Sequence, residues 1–260
     1  EESLEAFDSI VIGDGERMVI KLIEDINNRN LQRIYKDDKP VDINEYPYPS
    51  RKFLPPSATA RRRMVTTKGV PGTENLISTN TIFSRGCPYN CHFCAILTAR
   101  ADTPGIRFRR PDLIEAEIEY LKREYDIQGI SLLDEIVFPL KRSDAIAELE
   151  AIGRTNIAWR GQCRVDGVTP EIAALAKQSG CLSLGLGVES VWQRSLDIIN
   201  KRISVERAKE TIAFLKANGI KTSLYLIMGL PGEPANIVDL TWKFIEETQP
   251  DLVYLSLFTI

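Results

Sequence analysis

From residue 81 onward, short β-rich runs alternate with helical runs, and this alternation constrains the fold more than any other feature of the chain. Strands are expected near 81–85, 128–133, 157–163, 181–188, 221–228 and 252–258, with helices at roughly 112–125, 143–152, 170–178, 205–218 and 236–247. A strand whose next neighbour is parallel needs a crossover, and a helix of this length supplies it. The fold class is therefore α/β. Six such strands make an open or partly closed barrel, short of the eight of a complete one, with its reactive side chains at the C-terminal ends of the strands. The 260 residues leave room for one such domain and a smaller piece, and 43% hydrophobic with 27% charged residues is the balance of a folded globular chain.

The smaller piece comes first. Residues 8–12 (DSIVI) read as a short buried strand, 13–15 (Gly-Asp-Gly) as a turn, and 17–27 as a helix with Val19, Ile20, Leu22, Ile23 and Ile26 at helical spacing. One strand-helix unit is too small to fold alone. Between 38 and 80 lie Pro40, Pro47, Pro49, Pro55, Pro56 and Pro71, which suit an extended connector. The expected division is thus 1–37, a linker at 38–80, and a core domain at 81–260. Glu1 and Glu2 at one end and the apolar run to Thr259 and Ile260 at the other read as cuts through a longer protein.

The net charge of −3 gives no general pull toward nucleic acid or anionic lipid, and Arg61, Arg62 and Arg63 form a basic run too short for a polynucleotide track. No apolar stretch reaches the roughly 18 to 20 residues of a membrane span, and no secretory signal opens the chain. A cytoplasmic protein acting on a small molecule is expected, with neither membrane nor nucleic acid as partner.

Three of the five cysteines crowd into Cys87, Cys91 and Cys94, a C-x3-C-x2-C run in a loop after the first strand of the alternating region. A disulfide framework does not crowd its cysteines in this way. Thiolates are soft ligands suited to iron-sulfur clusters and zinc, and these spacings let one loop wrap three corners of a cube. Three ligands leave one iron open, as chelation of a small molecule requires. The competing reading adds His92 to make a closed Cys3His zinc site, although zinc motifs bring their ligands as separated pairs. Cys163 and Cys181 fall in or beside strands, where core packing is expected.

At these residues the sequence resembles the radical S-adenosylmethionine superfamily, whose signature is this cysteine spacing with an aromatic residue, here Phe93, before the third cysteine. The resemblance implies a partial TIM barrel, the (β/α)6 radical SAM core. It also implies a 4Fe-4S cluster on Cys87, Cys91 and Cys94 that reductively cleaves S-adenosylmethionine to a 5'-deoxyadenosyl radical. An external electron donor such as flavodoxin or ferredoxin would deliver the electron.

The resemblance also assigns roles at the other strand ends. Asp134 and Glu135, after the second strand, stand where the family binds the methionine amino group, and an acidic pair suits an ammonium. On the third strand Gln162 and Arg164 share one alternating face. Arg164 would pair with the methionine carboxylate, or instead with Asp166, and Gln162 would contact the cofactor. Glu189, ending the fourth strand, resembles the family's ribose contact, and Ile227 and Gly229, ending the fifth, resemble the segment whose backbone lines the adenine. Tyr225 departs from that motif where a glycine is common, and Glu233 falls one place late.

The segment 7–16, the helix after it, the stretch Asp42–Pro49 and the segment Gly187–Lys201, with Glu189, Ser190, Asn200 and Lys201, resemble the cobalamin-dependent branch, so residues 1–37 are expected to be the end of a Rossmann-like cobalamin-binding domain. The implied function is cobalamin-dependent methylation or rearrangement of an unactivated carbon, with cobalamin as a third cofactor. No histidine precedes the barrel, however, so the histidine that commonly ligates cobalt in that branch is missing from this chain. A methylthiotransferase modifying tRNA or a ribosomal protein is the alternative, but that branch carries further cluster cysteines on the N-terminal side and none occurs before Cys87. A non-enzymatic cluster or zinc module is the third reading.

Overall fold

A computed structural model describes residues 3–37, 39–55, 59, 61–62, 76–95, 105–139 and 141–259. A short helix α1 (Ser3–Ala6) leads to β1 (Ile10–Ile12), α2 (Glu16–Asn27) and β2 (Ile34–Lys36), and β1 and β2 pair in parallel. The sequence pattern did not reveal β2, whose three residues Ile-Tyr-Lys bury only Tyr35. Helix α2 buries none of its residues, and Val19, Ile20, Ile23 and Ile26 form an exposed apolar stripe.

The remaining elements run β3 (Arg61–Arg62), β4 (Ile77–Thr81), β5 (Ser84–Arg85), β6 (Arg107–Phe108), α3 (Pro111–Tyr125), β7 (Gly129–Leu132), α4 (Arg142–Arg154) and β8 (Ala158–Cys163). They continue with α5 (Pro170–Gln178), β9 (Cys181–Glu189), α6 (Gln193–Ile198), α7 (Val205–Ala217), β10 (Lys221–Met228), α8 (Ile237–Thr248) and β11 (Leu252–Leu257). The large sheet has the order β11-β10-β9-β8-β7-β4-β3. Every pairing from β4 to β11 is parallel, and only the two-residue β3 runs antiparallel. This is the curled six-strand parallel half-barrel of an α/β partial TIM barrel.

The first barrel strand is Ile77–Thr81, earlier than the apolar pattern placed it. Its sequence, ISTNT, is almost wholly polar, yet Ser78, Thr79 and Thr81 are buried. Partners make that burial tolerable: Thr79 donates to the Thr59 carbonyl at 2.5 Å and Thr81 to the Glu117 carboxyl at 2.8 Å. The expected strand at 81–85 survives only as β5, which pairs antiparallel with β6 and so forms a stem on either side of the cysteine loop.

Alternation along the strands sorts the two faces. Ile130, Leu132, Trp159, Cys163, Leu184, Leu186, Val188, Leu224 and Leu226 are buried with Ile114, Ile118, Leu121, Leu149, Ile152, Ile212 and Leu215 of the surrounding helices. Each fully buried aliphatic side chain contributes roughly 1.5–3 kcal/mol, so this layer carries most of the favourable folding energy. Cys163 and Cys181 lie in it, their thiol pKa values pushed up by burial. The other face is polar: Asn80 sits opposite Ser131, Ser131 opposite Arg160, and Arg160 opposite Ser183, one rung of the barrel interior.

Local signals end the helices where the crossovers need them. Thr169 and Ser204 cap α5 and α7, accepting from Ile172 N at 3.2 Å and Arg207 N at 3.1 Å, and Pro111 and Pro170 open α3 and α5. Within the expected connector, 38–80, β3 and the start of β4 are regular, while residues 39–55 have no regular element but are held to the barrel. Arg51 donates to the Asn80 carbonyl (2.8 Å), Arg107 to Val41 (2.6 Å) and Arg109 to Tyr46 (3.1 Å), while Tyr48 packs on Tyr120 with ring centroids 4.9 Å apart.

Candidate active site

Because the six strands are parallel, their C-terminal ends share one rim, and the loop carrying Cys87, Cys91 and Cys94 leaves β5 at that rim. Gly86 makes the departure possible. Its φ of +90° is left-handed, and a Cβ there would stand 2.5 Å from the Gly105 carbonyl oxygen, so the two sides of the stem touch backbone to backbone. The stem is also tied to the N-terminal unit, since Asp14 meets Arg85 at 3.5 Å and Arg107 at 2.5 Å. Burial works against the Asp14 charge, but hydrogen bonds from Arg107 and Val41 N, with the Arg85 charge, outweigh it and hold its pKa below the ordinary value.

The cysteine loop is seated on the turn after α6. His92 N donates to the Ile199 carbonyl at 2.9 Å, His92 Nδ1 lies 3.0 Å from the Ile198 carbonyl, and Asn200 Nδ2 donates to the Asn90 carbonyl at 2.8 Å. The turn itself is braced by Gly232, where a Cβ would fall 2.5 Å from Ile198 Cδ1. His92 is thus engaged with backbone oxygens at the loop's edge. Among the described residues no three histidine, cysteine or acidic side chains are gathered to the distances of a single bound ion.

Around this loop the structure brings four expected residues together. Arg164 is buried and places Nη1 3.8 Å from Cys91 Sγ, donates to the Lys201 carbonyl at 2.7 Å, and lies 3.6 Å above the Tyr89 ring. Its guanidinium pairs with Asp166 at 2.9 Å, the second of the two partnerships expected for it. The guanidinium thereby fixes one side of the Cys91 sulfur's surroundings. Burial opposes the Arg164 charge, but Asp166 more than offsets this and raises its pKa. Phe93 packs against the core with Lys201 Nζ 5.8 Å from its ring centre. Lys201 in turn pairs with Glu189 at 2.7 Å, the two side chains only 7% and 11% exposed.

Glu189 has φ +66°, a left-handed conformation that costs a non-glycine residue about 1–3 kcal/mol. The Lys201 ion pair holds it there. Gly187 leaves the space, because a Cβ at 187 would stand 2.8 Å from Glu189 Oε1 and 3.1 Å from Lys201 Nζ.

The other expected residues sit around the same rim. Asp134 is buried and accepts from Phe83 N at 3.0 Å, tying the second strand's end to the root of the cysteine loop. Burial pushes its pKa up to about 6. Glu135 and Gln162 are exposed, and the Gln162 carbonyl accepts from Val137 N at 3.1 Å. Ile227 is half-buried, and Gly229, with φ +87°, donates its N–H to Glu233 Oε2 at 2.9 Å. The sequence pattern picked out Lys201 together with Glu189 but not their ion pair, because no spacing rule links a lysine to a carboxylate twelve residues earlier across a helix and two turns. It also missed Tyr89 as the platform for Arg164.

A cavity of about 810 Å³ opens inside the barrel next to this rim, lined by Tyr46, Tyr48 and Leu54 of the proline-rich segment and by Ile82, Leu133 and Arg160. No helix among the described residues is long and apolar enough to cross a membrane.

Comparison with known proteins agrees with this architecture. The family model described as the Radical SAM superfamily matches residues 81–244. An anaerobic magnesium-protoporphyrin IX monomethyl ester cyclase of Rubrivivax gelatinosus is 27% identical over 269 residues, covering 97% of this chain and 47% of that protein. Among solved structures, the radical S-adenosylmethionine methyltransferase TsrM from Kitasatospora setae, with cobalamin and a [4Fe-4S] cluster bound, superposes with a TM-score of 0.69 at 18% identity, covering 95% of this chain and 50% of that one. The cobalamin-dependent S-adenosylmethionine radical enzyme OxsB, with aqua-cobalamin bound, gives 0.70 at 18% identity over 94% of this chain and 37% of that one. The chain spans about half the length of the curated relatives it matches. With the family model covering well over half its length, the chain belongs to the radical SAM superfamily.

Proposed function

We propose that this chain is the catalytic core of a cobalamin-dependent radical SAM enzyme that methylates or rearranges an unactivated carbon of a small molecule. The observation that carries the reading is the loop of three thiols held at the C-terminal rim, with the Arg164 cation at Cys91 Sγ. Three soft donors on one loop fit a cluster that keeps one iron open for a chelating molecule. Cys87, Cys91 and Cys94 would hold that cluster, and Phe93, Asp134, Glu135, Gln162, Arg164, Glu189, Ile227 and Gly229 would surround S-adenosylmethionine. When bound, these groups supply an electron and a 5'-deoxyadenosyl radical able to take hydrogen from carbon.

The chain's own residues do the orienting. Ile198, Ile199 and Asn200 fix the loop through the three hydrogen bonds already described, and the Lys201 ion pair holds the Glu189 side chain at the rim, where a carboxylate can accept from a ribose diol. Asp134 anchors the loop's root through Phe83 N. Val41, Ile43 and residues 46–51 and 54 line one side of the barrel's cavity.

Among the described residues cobalamin has no comparable donor. His92 is the chain's one histidine and lies in the cysteine loop, and Asp14 closes the Gly13–Gly15 turn onto Arg85 and Arg107. The cobalamin part of the reading rests on the likeness to TsrM and OxsB and on residues 7–49. The domain limits expected from the sequence, 1–37, 38–80 and 81–260, belong to the same reading, with β3 and the start of β4 falling inside the expected linker, and a flavodoxin- or ferredoxin-type protein would deliver the electron.

Anaerobic reconstitution with iron and sulfide, followed by dithionite and S-adenosylmethionine, tests it. The expected result is a reduced-cluster paramagnetic signal and formation of 5'-deoxyadenosine, lost together on replacing any one of the three cysteines with alanine. Cleavage that survived in such a variant would overturn the reading. A methylthiotransferase would need a second cluster, and the remaining cysteines, Cys163 and Cys181, are buried in the apolar core.

A further inference from the structure

Arg164 stands where β8 ends and a 3-10 turn, Val165–Gly167, begins, and its charged head is held from several sides. Nε and Nη2 donate to the two carboxylate oxygens of Asp166, each at 2.9 Å, and Nη2 donates also to the Lys201 carbonyl at 2.7 Å. The guanidinium carbon lies 3.6 Å from the centre of the Tyr89 ring. The two-nitrogen edge that suits a carboxylate is thus turned to Asp166, and Nη1, on the other side of the planar head, faces the cysteine loop at 3.8 Å from Cys91 Sγ.

Of the three loop cysteines Cys91 is the buried one, while Cys87 and Cys94 are half-buried. In a low-dielectric setting a hydrogen bond is electrostatically stronger than in water. Carboxylate, guanidinium and sulfur therefore follow one another in order, with the cation's N–H toward the sulfur and its counter-ion on the far edge. Hydrogen bonds to the sulfurs and the charge around them are among the factors that set the reduction potential of an iron-sulfur cluster. Reduction moves one electron from the external donor to the cluster, with no bond formed or broken and no proton taken up, so one negative charge is added beside Cys91. An N–H at that sulfur favours the added charge, and a carboxylate behind it opposes the same charge.

We infer that Arg164 and Asp166 together set the cluster's reduction potential, Arg164 raising it through the N–H at Cys91 Sγ and Asp166 lowering it from the far edge of the same guanidinium. The inference rests on the proposed function and concerns the entry of the electron, before any S-adenosylmethionine is cleaved.

The test uses the full chain reconstituted anaerobically with iron and sulfide, without S-adenosylmethionine. The paramagnetic signal of the reduced cluster is followed against solution potential with redox mediators. At the parent's midpoint the ratio of reduced to oxidised cluster should fall about tenfold in Arg164→Met, which is ~59 mV for one electron, and should rise about threefold or more in Asp166→Asn. Arg164→Lys keeps the charge without the fork and should lie between the parent and Arg164→Met. Both Arg164→Met and Asp166→Asn break the same ion pair, so a merely structural effect would move them in the same direction. Shifts of the same sign, or an unchanged midpoint in Arg164→Met, would overturn the inference. Should Arg164→Met fail to hold iron, Asp166→Asn decides: a raised ratio supports the inference and a lowered or unchanged one overturns it. A parent protein that takes up no iron would sink the proposed function and this inference with it. A cluster that cleaves S-adenosylmethionine yet keeps its midpoint in all three variants would sink this inference alone.

Discussion

Replacing Lys201 with methionine removes the positive half of a nearly dry ion pair and leaves the Glu189 carboxylate behind. The Nζ–Oε1 distance is 2.7 Å and the side chains are 7% and 11% exposed. At an effective dielectric of about 20 and a charge separation of about 3 Å, the lost attraction is on the order of 5 kcal/mol. Measured losses on breaking buried pairs run about 3–5 kcal/mol, because the stranded charge keeps its desolvation penalty. For a domain of this size each kcal/mol moves the midpoint by about 2–4 °C, so Lys201→Met should melt about 6–20 °C below the parent in anaerobic calorimetry. The double variant Glu189→Gln, Lys201→Met removes both charges and should lie well above the sum of the two single losses, with a coupling of at least about 1 kcal/mol. A Lys201→Met midpoint within about 1 °C of the parent, or strict additivity, would show that the pair does not hold the left-handed Glu189 in place.

Three further outcomes follow from the same geometry. Gly86→Ala forces a Cβ to within 2.5 Å of the Gly105 oxygen at a φ of +90°, so it should cost several kcal/mol and cut the iron retained after reconstitution; full iron content at an unchanged midpoint would contradict this. Gly187→Ala should loosen the Glu189–Lys201 pair with no polar group removed, giving a smaller midpoint loss than Lys201→Met and a raised KM for S-adenosylmethionine. Glu148 on α4 is buried beside Asp134, and burial, with the Asp134 charge, raises its pKa well above the ordinary value. A carboxyl raised in the fold gives its full stability below the unfolded pKa and loses it as pH climbs through the folded one, so Glu148→Gln should gain on the parent as pH rises from about 4.5 toward neutrality. Denaturant midpoints at pH 4.5 and 7.5 measure this, and an equal difference at both would refute it.

Much of the fold was legible because its signal is periodic. Five of the six barrel strands and the five expected helices read directly from apolar alternation and helical spacing, and the cysteine loop from its ligand spacing. The first strand escaped by four residues because ISTNT hides its threonine hydroxyls with partners far away in sequence, Thr59 and Glu117. Helix α6 was too short to carry a period, yet its final turn seats the cysteine loop. The candidate site divides in the same way. Cys91, Phe93, Arg164 and Glu189 could be named from motif and strand-end position, and Lys201 from the branch pattern, but the Lys201–Glu189 pair and the Tyr89 platform are tertiary contacts that no local rule encodes. Arg164 was left between two partners by its sequence, and its 2.9 Å contact with Asp166 shows one of them occupied.

Iron and acid-labile sulfide in anaerobically reconstituted protein, read beside 5'-deoxyadenosine formed under dithionite, test the central claim most directly. About four iron and four sulfide per chain are expected, with turnover of S-adenosylmethionine, and neither in a Cys87→Ala, Cys91→Ala, Cys94→Ala triple variant. Zinc in place of iron, or a triple variant that still cleaves S-adenosylmethionine, would contradict the account.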